Sequence, residues 1–159
     1  MSEYEFELVF KLPFKLDNTD DITDRLFEAG CDDATISFNK MGLISLSFDR
    51  EADSAKKAVE SAIDNVQQAL PDAVLVEASP DYVTITEISS FFGTSRQNTR
   101  KLFEKDMPLP VHIGKPSMWH LSNVLEWFKN NNTAKAVDDK LFEISQITKA
   151  VNTKRQIQA

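Results

Sequence analysis

The chain has 159 residues, 42% apolar and 27% charged, with a formal net charge of −7 at neutral pH. That size holds one medium domain or two small ones, and the composition is that of a globular protein rather than a disordered or fibrous one. No apolar run approaches the ~20 residues of a membrane helix, and a single cysteine, Cys31, excludes an intrachain disulfide and suits a reducing cytoplasm. The acidic start, without a basic segment ahead of a long apolar core, predicts no signal peptide.

The net charge argues against nucleic acid until it is divided. Residues 1–81 carry 7 Lys/Arg against 18 Asp/Glu, giving −11, whereas residues 82–159 carry 11 against 7, giving +4; together they make the −7. Such asymmetry points to two surfaces with different partners, because only the basic half attracts phosphates.

Tyr4, Phe6, Leu8, Phe10 and Leu12 alternate with Glu5, Glu7 and Lys11, which predicts a half-buried strand. A helix follows, with Asp17, Asn18, Thr19 or Asp20 as its N-cap, Ile22, Leu26 and Phe27 as its apolar stripe, and Gly30 as its stop. Residues 34–38 and 43–48 read as strands joined by the turn Asn39-Lys40-Met41-Gly42. The spacing of Ala55, Ala58, Val59, Ala62, Ile63, Val66 and Leu70 predicts a helix over 54–70 ended by Pro71, and 73–77 reads as a last strand. The order is βαββαβ, which predicts a ferredoxin-like domain over 1–79 with both helices on one face of a four-stranded sheet.

The second half opens with Thr84 and Glu87, three apart as in a capping box, with Thr86 as the other cap choice. Ile88, Phe91 and Phe92 are the expected buried face of a first short helix, and Gly93 its turn. Ser95 caps a second helix in which Thr99, Leu102 and Phe103 face a core and Arg96, Gln97, Arg100 and Lys101 face outward. Residues 105–119 hold Pro108, Pro110, an alternating Val111/Ile113 pair, Gly114-Lys115 and then Met118-Trp119, which predicts a β-hairpin, or wing. Ser122 is the expected cap of a further helix bearing Val124, Leu125, Trp127 and Phe128, broken by Asn130, Asn131, Asn132 and Thr133. Over 133–155 the residues Ala134, Val137, Leu141, Ile144, Thr148 and Val151 approach coiled-coil spacing. A helix so short must pack on a second copy or on the N-terminal domain.

From Tyr82 to Phe128 these features together (helix, glycine turn, Ser-Arg-led helix, proline-flanked wing, Trp119 and a tryptophan-bearing helix) make the chain resemble the MerR-like helix-turn-helix group that includes AlpA-type regulators and phage excisionases. The resemblance implies a winged helix-turn-helix over 82–130, with its second helix in the major groove and its wing along a neighbouring groove. It covers about a third of the chain, and the long effector coiled coil of full MerR regulators is absent.

The expected architecture is therefore α+β: a ferredoxin-like domain, a winged helix-turn-helix and a C-terminal helix. Arginine and glutamine make bidentate contacts to guanine and adenine edges, and lysines neutralise phosphates. The expected double-stranded DNA contacts are Ser95, Arg96, Gln97, Asn98, Arg100, Lys101, Lys105, His112 and Lys115. Asn98 has a second expected role in its helix's first turn, and His112 and His120 are expected to be mainly structural. Trp119, Trp127, Phe91 and Phe103 sit at core spacings. Glu87 and Glu104 form no acid–base pair, no phosphate loop is present, and one cysteine with two histidines is poor metal-ligand material, so no catalytic residue, metal or cofactor is expected. The reading is a homodimeric sequence-specific DNA-binding regulator. Its rival is an antitoxin-like or defence-system accessory subunit whose acidic domain grips a basic protein partner.

Overall fold

The computed structural model describes residues 1–13, 18–131 and 137–158, over which the chain is an α+β fold with six helices. Chain contacts divide it into two compact units, one of Met1–Ser79 with Ala150–Ala159 and one of Pro80–Lys149. Among the described residues no helix is long and apolar enough to cross a membrane.

In the first unit the N-terminal alternation becomes β1 (Ser2–Lys11), followed by α1 (Thr19–Glu28), β2 (Ala34–Phe38), β3 (Leu43–Ala52), α2 (Ala55–Ala69) and β4 (Val74–Ser79). The strands form one sheet in the order β2-β3-β1-β4, every neighbour antiparallel. Period two places Tyr4, Phe6, Leu8 and Phe10 against Ile44, Leu46 and Phe48 on the buried face, where the Phe6 and Phe48 rings stack at 5.1 Å. Glu3, Glu5 and Glu7 fall on the other face, beside Glu51, Asp49 and Ser47 of β3.

Helix α1 is capped by Asn18, whose side chain accepts from the Asp21 amide, while Asp17 lies outside the described residues. It ends in paired backbone bonds, Gly30 N–H to Phe27 and Cys31 N–H to Leu26, with Gly30 at φ 111°. Phe27 departs from expectation: it is 45% exposed, because only Ile22 and Leu26 share the face turned to the sheet. The last strand begins one residue later than the apolar run and continues to Ser79. Its outer edge is closed by side chains. The Asn152 amide accepts from Ala78 N–H at 2.8 Å and donates to Ala78 C=O at 2.7 Å, and Arg155 donates to the Leu75 carbonyl. An amide thus takes the place of a further strand and blocks edge-to-edge pairing.

Arg50, only 7% exposed, is the charged side chain buried in this unit among the described residues. Its guanidinium donates to both Asp33 carboxylate oxygens, to Ser61 Oγ, to Asn65 Oδ1 and to the Gly30 carbonyl. The buried cation is tolerated because its donors are saturated, so Asp33→Ala is expected to cost about 3 kcal/mol of unfolding free energy in urea titration. Cys31 nearby is fully covered, and burial pushes its thiol up to about 11 against the pull of Arg50. A raised pKa keeps the thiol protonated across neutral pH, leaving roughly a hundredfold less thiolate than a pKa of 9 would. Alkylation at pH 8 is therefore expected to be slow in the native protein and fast in denaturant.

The second unit contains β5 (Tyr82–Val83), α3 (Ile85–Phe91), α4 (Arg96–Lys105), β6 (Trp119–His120), α5 (Leu121–Asn130) and the first half of α6 (Asp139–Gln158). Strands β5 and β6 pair antiparallel, Val83 opposite Trp119, which ties the unit's first residues to the far end of the 106–118 segment. The core is Val83, Ile88, Phe103, Trp119, Leu121, Val124, Leu125 and Phe128. Phe91 is not in it; at 45% exposure it faces solvent while Phe92 turns inward against the Phe128 ring at 4.2 Å. Ser122 is not a cap either: α5 begins at Leu121 behind His120, which makes no capping bond, and Ser122 is buried within the first turn.

The C-terminal stripe is consumed inside the chain. Val137, Leu141 and Phe142 pack on the second unit's core, Ile144 is buried, and Thr148 Oγ1 donates to the Pro80 carbonyl. Val151 is half-buried, and Ala134, Asn132 and Thr133 lie outside the described residues. The stripe expected to pack on a second copy or on the N-terminal domain thus packs, over residues 137–144, on the core of the second unit.

Candidate nucleic-acid interface

Helix α3 starts with the Thr84/Glu87 capping box, each side chain meeting the other's backbone N–H. It stops at Gly93, φ 59°, where Gly93 N–H bonds Ser90 and Thr94 N–H bonds Ser89. This double closure needs a left-handed residue, and glycine takes it without a Cβ clash. Two residues later the Ser95 hydroxyl accepts from Asn98 N–H and starts α4.

A buried pair of hydroxyls, Ser89 Oγ and Thr99 Oγ1, 2.7 Å apart, links these helices. Ser89 also donates to its own Ile85 carbonyl at 2.7 Å, while the Thr99 bond to the Ser95 carbonyl is 3.4 Å. Each hydroxyl has one proton, so Ser89 serves as the acceptor and Thr99 as the donor across the helices. With Thr99 and Phe103 inward, α4 shows solvent two stripes at fourfold spacing: Arg96, Arg100 and Glu104, and Gln97, Lys101 and Lys105.

The loop after α4 folds back on this surface. Trp127 Nε1 donates to Asp106 Oδ2 and Trp119 Nε1 to the Pro108 carbonyl, so two indoles fix the exit from the helix. Phe103 meets both rings, at 5.5 Å from Trp119 and 5.3 Å from Trp127. Beyond them the hairpin is shorter than the alternating residues suggest. It holds a single bridge between His112 and Met118, and its tip is closed by Ser117 Oγ, which accepts from Gly114 N–H and donates to Gly114 C=O. Val111 and Ile113 stay exposed, because one bridge offers no inner face to bury them.

Between the Arg96 stripe, the start of α3 and this loop tip lies an open groove of about 820 Å³. Arg96 and Arg100 enter from α4 and Lys115 from the loop; Thr84, Thr86 and Ser117 add hydroxyls, and Glu104 a carboxylate. Among the described residues none of the four charged side chains makes an ion pair or side-chain hydrogen bond. Three cations against one carboxylate leave the groove with an excess of positive charge that attracts an anionic ligand.

Of the nine expected contact residues, the structure brings Arg96, Arg100 and Lys115 together in this groove. Gln97, Lys101 and Lys105 are exposed on the neighbouring stripe, outside it. Ser95 is occupied as a cap, and the Asn98 side chain donates to Thr94 Oγ1 at the helix's first turn. His112 pairs its backbone with Met118 and lays its ring over Gly114, where an added Cβ would meet Nε2 at 2.5 Å. His120 is structural, its Nδ1 2.7 Å from the buried Asp81 carboxylate. Sequence reading missed Thr84, Thr86, Glu104 and Ser117 as groove residues. Glu104 carried a usable signal, since it extends the Arg96/Arg100 spacing by one turn; the others are adjacent only through the fold.

Comparison with protein-family models, curated proteins and solved structures finds no match to this chain.

Replacing Thr99 by valine keeps the shape of the side chain and removes the donor between the helices. The expected cost is about 1 kcal/mol in thermal or urea unfolding, and the Ser89→Ala/Thr99→Val double variant should lose less than the two singles added.

Proposed function

We propose that the protein binds double-stranded DNA sequence-specifically, as a small transcriptional regulator, with α4 in the major groove and the 108–119 segment as a wing on the backbone. The observation that carries this reading is the convergence of Arg96, Arg100 and Lys115, none of them in an ion pair among the described residues, on one groove. An α-helix fits the major groove, and arginine there is the side chain suited to a guanine edge. Capping box, glycine turn, short second helix and returning loop support a winged helix-turn-helix of the MerR-like type, and the βαββαβ order with strands β2-β3-β1-β4 supports a ferredoxin-like first unit. One ten-residue helix offers limited contact area, so two copies on paired half-sites are the form in which we propose it binds. With the α6 stripe docked, the pairing surface is a different one.

Duplexes selected from a random pool and titrated by fluorescence anisotropy test this. Arg100→Ala is expected to weaken the selected site by roughly 1–3 kcal/mol and relax base preference, whereas Lys115→Ala should weaken all sequences alike and reduce the salt slope by about one. Unchanged affinity and selectivity in both variants would remove the reading.

A second reading rests on the first unit. The carboxylates of Glu3, Glu5 and Asp49 lie within 4.8 Å of one another on the sheet face opposite the helices, all exposed. The like charges of Glu5 and Asp49 repel at that distance, and a basic protein surface would relieve them, as in an antitoxin-like or accessory subunit. Charge reversal at Glu5 and Asp49 is expected to abolish retention of a partner captured from native lysate; equal retention by the variant would count against it.

A further inference from the structure

Glu104 is the one acidic side chain in a groove otherwise lined by cations and hydroxyls. It lies one turn beyond Arg100 and two beyond Arg96 on the same stripe of α4, exposed, with no counter-charge in contact among the described residues. A carboxylate there is unfavourable toward phosphates and opposes the field that Arg96, Arg100 and Lys115 create. It gains only where the ligand presents a hydrogen-bond donor. On the major-groove edge the donors are the exocyclic amines, and the side chain that pairs with cytosine N4 is Glu or Asp. We infer that Glu104 is a specificity-determining residue: it accepts a hydrogen bond from the N4 amine of one cytosine at the edge of the site read by Arg96 and Arg100. This rests on the proposed DNA reading of the groove and deepens it. Arginine and carboxylate in one stripe would then read a guanine and a cytosine at neighbouring steps, while the carboxylate rejects registers that bring a phosphate to it.

The test uses the full chain, as wild type, E104A and E104Q, against the duplex that wild type recovers most often from a random pool and against all its single-base variants. Wild type should show one C·G pair whose exchange costs on the order of tenfold or more in Kd. In E104A that discrimination should fall to about twofold or less, while competitor DNA binds more tightly because a repulsive charge is gone. E104Q keeps a carbonyl oxygen that accepts, and should retain part of the preference. Because Glu104 is exposed on the helix surface, folding is checked by the unfolding midpoint, which should not move. If E104A keeps the wild-type base preference at every position and merely binds all DNA more tightly, Glu104 is an electrostatic bystander and the inference is overturned, with the groove reading left standing. If wild type recovers no preferred duplex, the groove reading fails and this inference with it.

Discussion

The second unit depends on the hydrogen bond between Ser89 and Thr99. It is the polar contact that crosses from α3 to α4 in a region otherwise held by ring and aliphatic packing. Aliphatic packing tolerates sliding, whereas a buried donor and acceptor 2.7 Å apart accept little displacement before both lose a partner that water cannot replace. Gly93 supplies the complementary constraint, a left-handed turn that lets the chain reverse within a few residues. Together they decide which side of α4 is inward, and hence that Arg96, Arg100 and Glu104 share one outward stripe.

What makes that stripe a groove rather than a solvated helix face is the loop returning to it. Trp119 is the pivot: its ring packs on Phe103, its Nε1 holds the Pro108 carbonyl, and its backbone pairs with Val83. The loop tip is thereby carried to α4, and Lys115 joins cations that are far from it in sequence. Charges left unpaired on a folded surface cost little in water, but a groove that concentrates them raises the local density of anions. The first unit shows the opposite treatment of a cation. Arg50 is buried and saturated, so it stabilises a core and has no donor left to offer.

Local chemistry was readable. The period-two run before Pro13, the Thr84/Glu87 box, the Ser95 cap and the glycine stops at Gly30 and Gly93 all stand where their residues place them. Each depends on neighbours within a turn or two, so the information sits in a short window. The misreadings share the opposite property. Phe27 and Phe91 are apolar residues just off the buried arc of short helices, where one position rotates a side chain by 100° and composition does not report which edge is covered. Ser122 is a good N-cap type placed one residue inside the helix, because Leu121 N–H is already taken by the Asp81 carbonyl and the helix begins there.

By itself the sequence determined the alternation of elements, their caps, the split into an acidic and a basic half, and the set of cations from which any anion site must draw. It did not determine which cations act together. Arg96 and Lys101 look equivalent along the helix, and only the return of the loop through the Val83–Trp119 pairing puts one in the groove and the other outside it. Nor did it show that the C-terminal stripe is spent within the chain, or that Asn152 closes the β4 edge. Those outcomes follow from pairings between residues tens of positions apart, decided by what the whole surface must bury and which backbone groups must be satisfied. A short window of sequence does not contain that condition.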